Sequence, residues 1–177
     1  MDEATLIKAC LDNDRQSQKL LYERYSGQMY AICLRYMHNE FDAADALQRT
    51  FIKVFRHLHT FAATGPLGAW IRRITITTCV EDLRSQKQRS EKMGDYIHMQ
   101  PLAIQHDEEN LTYEQLLGLL DLLPKGYRSV FNMFVLDDMK HSEIGEILGI
   151  TEETSRSQLL KARKFLQKLI VEKRMII

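Results

Sequence analysis

Residues that make tight turns are scarce in this sequence. Three prolines and eight glycines are spread over 177 residues, which argues against a turn-rich all-β fold and fits long helices joined by short connections. No apolar run approaches the roughly 18 residues that a membrane span needs, so no membrane insertion is expected. The opening residues lack the charged-then-apolar pattern of a secretion signal, and a reducing cytoplasm is the expected compartment. Cys10, Cys33 and Cys79 stand far apart without a C-x-x-C pair, which suggests neither a disulfide framework nor a zinc site. A net charge is missing as well. With 24 basic and 24 acidic residues, the whole chain offers nucleic acid no global attraction.

The charges that are present are unevenly placed. Lys and Arg are absent from Met93 to Pro124, where Asp95, Asp107, Glu108, Glu109, Glu114 and Asp121 accumulate. From Thr154 to Arg174 seven basic residues face one acid, Glu172. A solvated helix face or a soluble linker would explain such clusters equally well. Charge by itself decides nothing here.

Apolar periodicity is helical almost throughout. A short helix is expected around Ala4 to Leu11. Leu20, Leu21, Tyr25, Met29, Ile32, Cys33 and Tyr36 recur at three- and four-residue spacing, as one face of a helix does. Ala44, Leu47, Phe51, Val54, Phe55 and Leu58 mark a second stripe. Leu67, Trp70, Ile71, Ile74, Thr78 and Leu83 mark a third, entered through Gly65-Pro66, a sound helix start. These elements predict an N-terminal helical bundle over residues 1–92. Residues 93–110 lose the periodicity and carry an acidic run, which predicts a flexible acidic linker. Periodicity resumes over 111–177, with Leu116, Leu119, Leu120 and Leu123 on one stripe. Pro124 then opens a helix whose inner face is Val130, Phe131, Phe134 and Val135. The expected fold is all-α, in two small helical domains.

The pattern becomes specific between His141 and Leu169. Ile144, Ile147 and Leu148 form the inner face of a short helix, Gly149 suits a left-handed stop, Ile150 plugs the turn and Thr151 suits an N-cap. The next helix carries Leu159, Ala162, Leu166 and Leu169 inward. Helix, short turn with glycine, second helix is the helix-turn-helix layout. The second helix should turn Thr154, Ser157, Gln158, Lys161, Lys164 and Lys168 outward. Hydroxyls and an amide can reach base edges in a major groove, and lysines further along neutralise phosphates. A plain helical hairpin would not usually combine that turn, cap and polar-then-basic face.

These residues resemble bacterial sigma factors of the sigma-70 family, in the small extracytoplasmic-function (ECF) group that keeps only regions 2 and 4. The C-terminal likeness runs through Leu123-Pro124, Tyr127-Arg128-Ser129-Val130-Phe131, Glu143-Ile144-Gly145, Leu148-Gly149-Ile150, Thr154, Ser157-Gln158-Leu159 and Ala162-Arg163. The N-terminal likeness runs from Leu20 to Met37, through Asp42 to Phe61, and from Ala69 to Arg84. The resemblance implies a non-enzymatic specificity subunit of RNA polymerase, without cofactor or metal. Asp42, Asp45, Gln48, Arg49 and Lys53 would meet the clamp helices of the polymerase largest subunit, and the C-terminal unit would meet the flap of the second-largest. Phe61, Trp70, Arg72, Arg73 and Thr77 would engage the −10 element. Thr154, Ser155, Arg156, Ser157, Gln158, Lys161, Arg163 and Lys164 would engage the −35 element. Control by an anti-sigma protein is implied too.

Several positions depart from the family pattern. Arg49 stands where an acid is usual, and an intrahelical Asp45–Arg49 pair would accommodate it. The −10 loop reads Phe61-Ala62-Ala63 in place of Phe-Arg-Gly, and Leu67-Gly68-Ala69 precedes Trp70. Thr77 replaces a frequent Asn, and Glu153 a common Gly. The loop changes remove charge and aromatic area that would hold single-stranded DNA. Trp70 and the tyrosines of the long helix are expected in the core. The sequence thus leaves two readings: a promoter-specific initiation factor for transcription, or a sigma-like decoy that binds an anti-sigma protein without driving transcription. A plain helix-turn-helix repressor does not account for the N-terminal half.

Overall fold

Short polar side chains begin three helices of the N-terminal half. Asp2 accepts from the Thr5 amide at 2.8 Å, Asp14 from the Ser17 amide at 2.8 Å, and Asn39 from the Asp42 amide at 2.8 Å. Each satisfies an amide that has no partner inside its helix. The helices so started are α1 (Glu3–Leu11), α2 (Arg15–Met37) and α3 (Glu40–His57). A 3-10 turn at Leu58–Thr60 follows, and α4 (Leu67–Met93) begins after Pro66. The computed structural model describes residues 2–37, 39–93 and 118–174, and no strand occurs among the described residues. The chain divides into two compact units, Met1–Tyr96 and Ile97–Ile177. The expected linker over 93–110, Met93 apart, lies outside the described residues.

In the first unit α2, α3 and α4 pack against one another in a triangle. Leu21, Met29 and Cys33 from α2, Ala43, Ala46 and Val54 from α3, and Leu67, Ile71, Ile76 and Cys79 from α4 are fully buried. Burying a Leu, Ile or Met side chain contributes roughly 1.5–3 kcal/mol each. The stripes run one position away from several expected sites. Ala44 and Leu20 are exposed, Ile74 and Leu83 are half-buried, and Ala43, Ala46 and Val80 take inner places. Glu3 of α1 reaches across the fold, accepting from the Tyr25 hydroxyl at 2.9 Å and from the first amide of α4, Leu67, at 3.4 Å.

The second unit begins its described part in a helical turn at 118–121, with Leu119, Leu120 and Leu123 buried. One guanidinium closes the next corner: Arg128 donates to the Asp121 carboxylate at 3.2 Å and to the carbonyls of Asp121 and Leu123. Helix α5 (Lys125–Phe131) continues into a π-helical turn at Asn132–Leu136. That turn inserts a residue into the helical spacing. Met133 therefore goes inward and Val135, expected inside, is exposed, while Phe131 and Phe134 are half-buried.

Helix α6 (His141–Leu148) ends at Gly149, whose φ of 67° and ψ of 39° are left-handed. Thr151 then caps α7 (Glu152–Arg174) by accepting from the Thr154 amide at 3.1 Å. Gly145 matters as much as the turn. A Cβ there would stand 2.7 Å from the Ile150 carbonyl oxygen, a backbone atom that cannot swing away. Gly145→Ala in the middle of a helix would ordinarily stabilise by roughly 0.5–1 kcal/mol. Here the expected sign is reversed: destabilisation of about 1–3 kcal/mol from overpacking, measured by urea unfolding of the full chain.

Candidate nucleic-acid and polymerase interfaces

An open cleft of about 430 Å³ lies between the end of α3 and the first half of α4, lined by Lys53, His57, Trp70, Arg73, Thr77 and Glu81 among others. Trp70 is half-buried, not sealed in the core as the stripe suggested. Its ring lies 5.6 Å from that of Phe61, tilted by 53°. The Thr77 hydroxyl donates to the Arg73 carbonyl at 2.9 Å, and Lys53 pairs with Glu81 at 2.5 Å across the cleft. Aromatic surface beside cations is what an unstacked nucleic-acid strand requires. The fold thus brings Phe61, Trp70, Arg73 and Thr77 together. Arg72 is placed apart, pointing off the opposite side of α4 with its Nε buried and without a hydrogen-bond partner.

The loop feeding this cleft holds a strained residue. Ala63 has φ of 53°, left-handed backbone that costs an alanine about 1–2 kcal/mol relative to glycine. Ala63→Gly is therefore expected to stabilise the chain by about 1 kcal/mol in urea unfolding, after the entropy of the extra freedom is subtracted.

Helix α3 turns two sides toward different neighbours. Along its seam with α4, Arg49 reaches Asp82 at 2.8 Å, Lys53 reaches Glu81, and Asp42 accepts from Gln86 at 3.2 Å. The expected Asp45–Arg49 pair gives way to the Arg49–Asp82 bridge. A carboxylate on the packed neighbour is in better reach than one on the same helix, so Asp42, Arg49 and Lys53 fasten α3 to α4. Outside the seam, Phe41 and Ile52 are 78% and 52% exposed and share a side with Asp45 and Gln48. Neither apolar residue belongs to the inner stripe that helical periodicity marks, so periodicity does not single them out. Their signal was readable: large apolar side chains eleven positions apart, three turns, and off that stripe. Arg49→Glu should destabilise by about 1 kcal/mol, since it removes a partly exposed bridge and sets two acids together. Arg49→Glu combined with Asp82→Arg should restore most of the loss, measured by urea unfolding.

Helix α7 presents its polar face largely as expected, with two corrections. Ser155 is fully buried and bonded to His141 Nδ1 at 2.8 Å, so it cannot touch DNA in this arrangement. Gln158 is half-buried against α5, its Oε1 buried without a hydrogen-bond partner and 3.2 Å from where a Gly126 Cβ would stand. Both lie beside Leu159 and Ala162, which are buried, and the rotation that buries those two also draws in Ser155 and Gln158. The exposed side carries Arg156, Ser157, Lys161, Arg163 and Lys164. Arg156 pairs with Glu152 one turn earlier. The Thr154 hydroxyl is engaged with Thr151 at 2.9 Å, and that of Ser157 donates to the Thr154 carbonyl at 3.0 Å. Leu160, 55% exposed, sits among the lysines. Sequence reasoning missed it because it was counted with neither face.

A helix-turn-helix thus lies in one unit and a cleft lined by aromatic and cationic side chains in the other, and the described residues are helical without strands. The sigma-70 region 2 family matches residues 21–89 and the sigma-70 region 4 family matches residues 113–166. The chain belongs to the sigma-70 family of RNA polymerase sigma factors, in its ECF group. It is 24% identical over 151 residues to the ECF RNA polymerase sigma factor SigM of Bacillus subtilis, covering 84% of this chain and 92% of that one. It is 28% identical over 153 residues to the ECF RNA polymerase sigma factor SigE of Mycolicibacterium smegmatis, covering 83% of this chain and 59% of that longer protein. In fold it is similar to the sigma factor RpoE of Bartonella quintana, solved in complex with the anti-sigma factor NepR, with a TM-score of 0.64, 19% identity, and 86% and 95% of the two chains covered.

Proposed function

We propose that this chain binds core RNA polymerase in the cytoplasm and directs initiation at promoters carrying matching −35 and −10 elements, under the control of an anti-sigma protein. It works by binding, without catalysis of its own. One observation carries the reading. The cleft of Trp70, Arg73 and Thr77 falls inside the stretch that matches region 2, and the exposed face of α7 inside the stretch that matches region 4. The similarly folded sigma factor RpoE, solved in complex with the anti-sigma factor NepR, supports the regulatory part, and CnrH, solved in complex with the cytosolic domain of CnrY, shares the fold at a TM-score of 0.57 and 20% identity over 95% of this chain and 96% of that one.

The geometry supports the following roles. Phe41, Asp45, Gln48 and Ile52 form the polymerase-docking side of α3, an apolar pair flanked by polar groups as interface cores are. Phe61 and Trp70 stack on an unpaired base of the −10 strand, and Arg73 neutralises a phosphate. On α7, Ser157 and Leu160 read base edges, Leu160 by contact with a thymine methyl. Arg156, Lys161, Arg163 and Lys164 hold phosphates and so set register. Gln158 supports the helix from its buried side.

In vitro transcription with core polymerase and a promoter library tests the reading. Promoter-dependent transcripts support it. A chain that binds an anti-sigma protein but yields no transcript with core polymerase is a decoy. Ile52→Asp together with Phe41→Asp should lower core capture at least tenfold, the loss of roughly 1.4 kcal/mol or more expected from apolar anchors. Lys161→Ala should weaken all promoters alike and reduce the salt slope by about one unit. Ser157→Ala and Leu160→Ala should instead alter preference at one or two −35 positions, by about 1–3 kcal/mol per base pair.

A further inference from the structure

We propose that the His141–Ser155 hydrogen bond is a latch that sets the angle of α7 against α6, which makes His141 and Ser155 positioning residues for −35 recognition. This rests on the reading of α7 as the −35 helix. The bond spans 14 positions and joins the first residue of α6 to the first turn of α7 at 2.8 Å. Ser155 is fully buried, and His141 is the partner that satisfies its hydroxyl. The imidazole is held in turn by Phe134, whose ring stacks on it at 4.3 Å with a 19° tilt. A continuous path therefore runs from the π-helical turn, through His141, to the helix that presents Ser157 and Lys161.

The position of the latch gives it leverage. The turn at Gly149–Thr151 and the close approach at Gly145 lie near the pivot between the two helices, where they restrain separation better than angle. His141 lies seven residues from Leu148, about 10 Å along α6 at the helical rise. Roughly 1 Å of slack there tilts the helices by about 6°, and base contacts tolerate only small errors of aim. The imidazole is kept neutral near neutral pH: burial lowers its pKa, Arg156 and Arg163 lower it further, and Glu152 opposes them. A neutral ring leaves one nitrogen able to accept from the Ser155 hydroxyl.

The test separates aim from stability by comparing variants in the full chain assembled with core polymerase. His141→Phe keeps the stack on Phe134 but leaves the buried Ser155 hydroxyl without a partner, so the unfolding midpoint should fall. Adding Ser155→Ala removes the orphaned hydroxyl, and the double variant should recover most of the midpoint. Transcription from a promoter library gives the preference for the selected −35 sequence over a scrambled one. Expected is a roughly tenfold loss of that preference in His141→Phe, in Ser155→Ala and in the double variant alike. His141→Gln, which can still bond to Ser155, should retain part of it. A double variant that recovers preference along with stability shows a packing role and overturns the latch. So do variants that all keep full preference. An unaltered protein with no −35 preference overturns the reading of α7 itself, a different result from either.

Discussion

The rotation of α7 about its own axis is the constraint on which the proposed −35 recognition depends. A 23-residue helix can bury only one side against a small unit, and the burial of Leu159 and Ala162 selects that side. Ala162 lies in a core with Leu120 and Leu123, and Leu166 packs against it from the same side. Once Leu159 and Ala162 are inside, every other side chain on the helix is assigned. Ser155, one turn before Leu159, must come inward and needs a polar partner, which His141 provides. Lys161 and Lys164 must face out, and Leu160 goes with them. The proposed interface with DNA is in this sense a by-product of the core.

A corresponding division governs α3. Its inner side carries Ala43, Ala46, Leu47, Thr50, Phe51 and Val54, and charged residues at the edge of its contact with α4 bridge to that helix. Partly exposed bridges of this kind contribute little stability each, but they determine which charges are already engaged. Arg49 illustrates this. A basic residue where the family resemblance implies an acid is accommodated by Asp82, which stands opposite it. The proposed docking then rests on Phe41 and Ile52, large apolar side chains left exposed on the described unit.

Neutral overall charge fits a protein whose binding is divided among partners. Phosphate neutralisation drives non-specific attachment to DNA, and here seven of the 24 basic residues lie over 154–174 against one acid, while acids outnumber bases over the rest of the chain. Such a chain has little tendency to bind DNA indiscriminately. Attachment to polymerase first, through an apolar face that salt does not screen, would bring the basic helix to the promoter at high local concentration.

Several features were settled by the sequence itself, because they depend on neighbours along the chain. Helical period, the left-handed stop at Gly149, the Thr151 cap and the helix-turn-helix layout all arise from contacts within a few residues. The family follows from the order of such motifs. Tertiary packing decided what periodicity leaves open by a fraction of a turn. Helical spacing places a stripe to within about one residue, or 100°, so Gln158 reads as outward when packing turns it in. The same margin hid Ala43 behind Ala44. Phe134 and Val135 read as one face until the π-helical turn separated them. Long-range polar pairs such as Arg49–Asp82 and His141–Ser155 were not legible at all. No local pattern records which side chain will meet another 33 or 14 positions away; only the packed helices bring them within bonding distance.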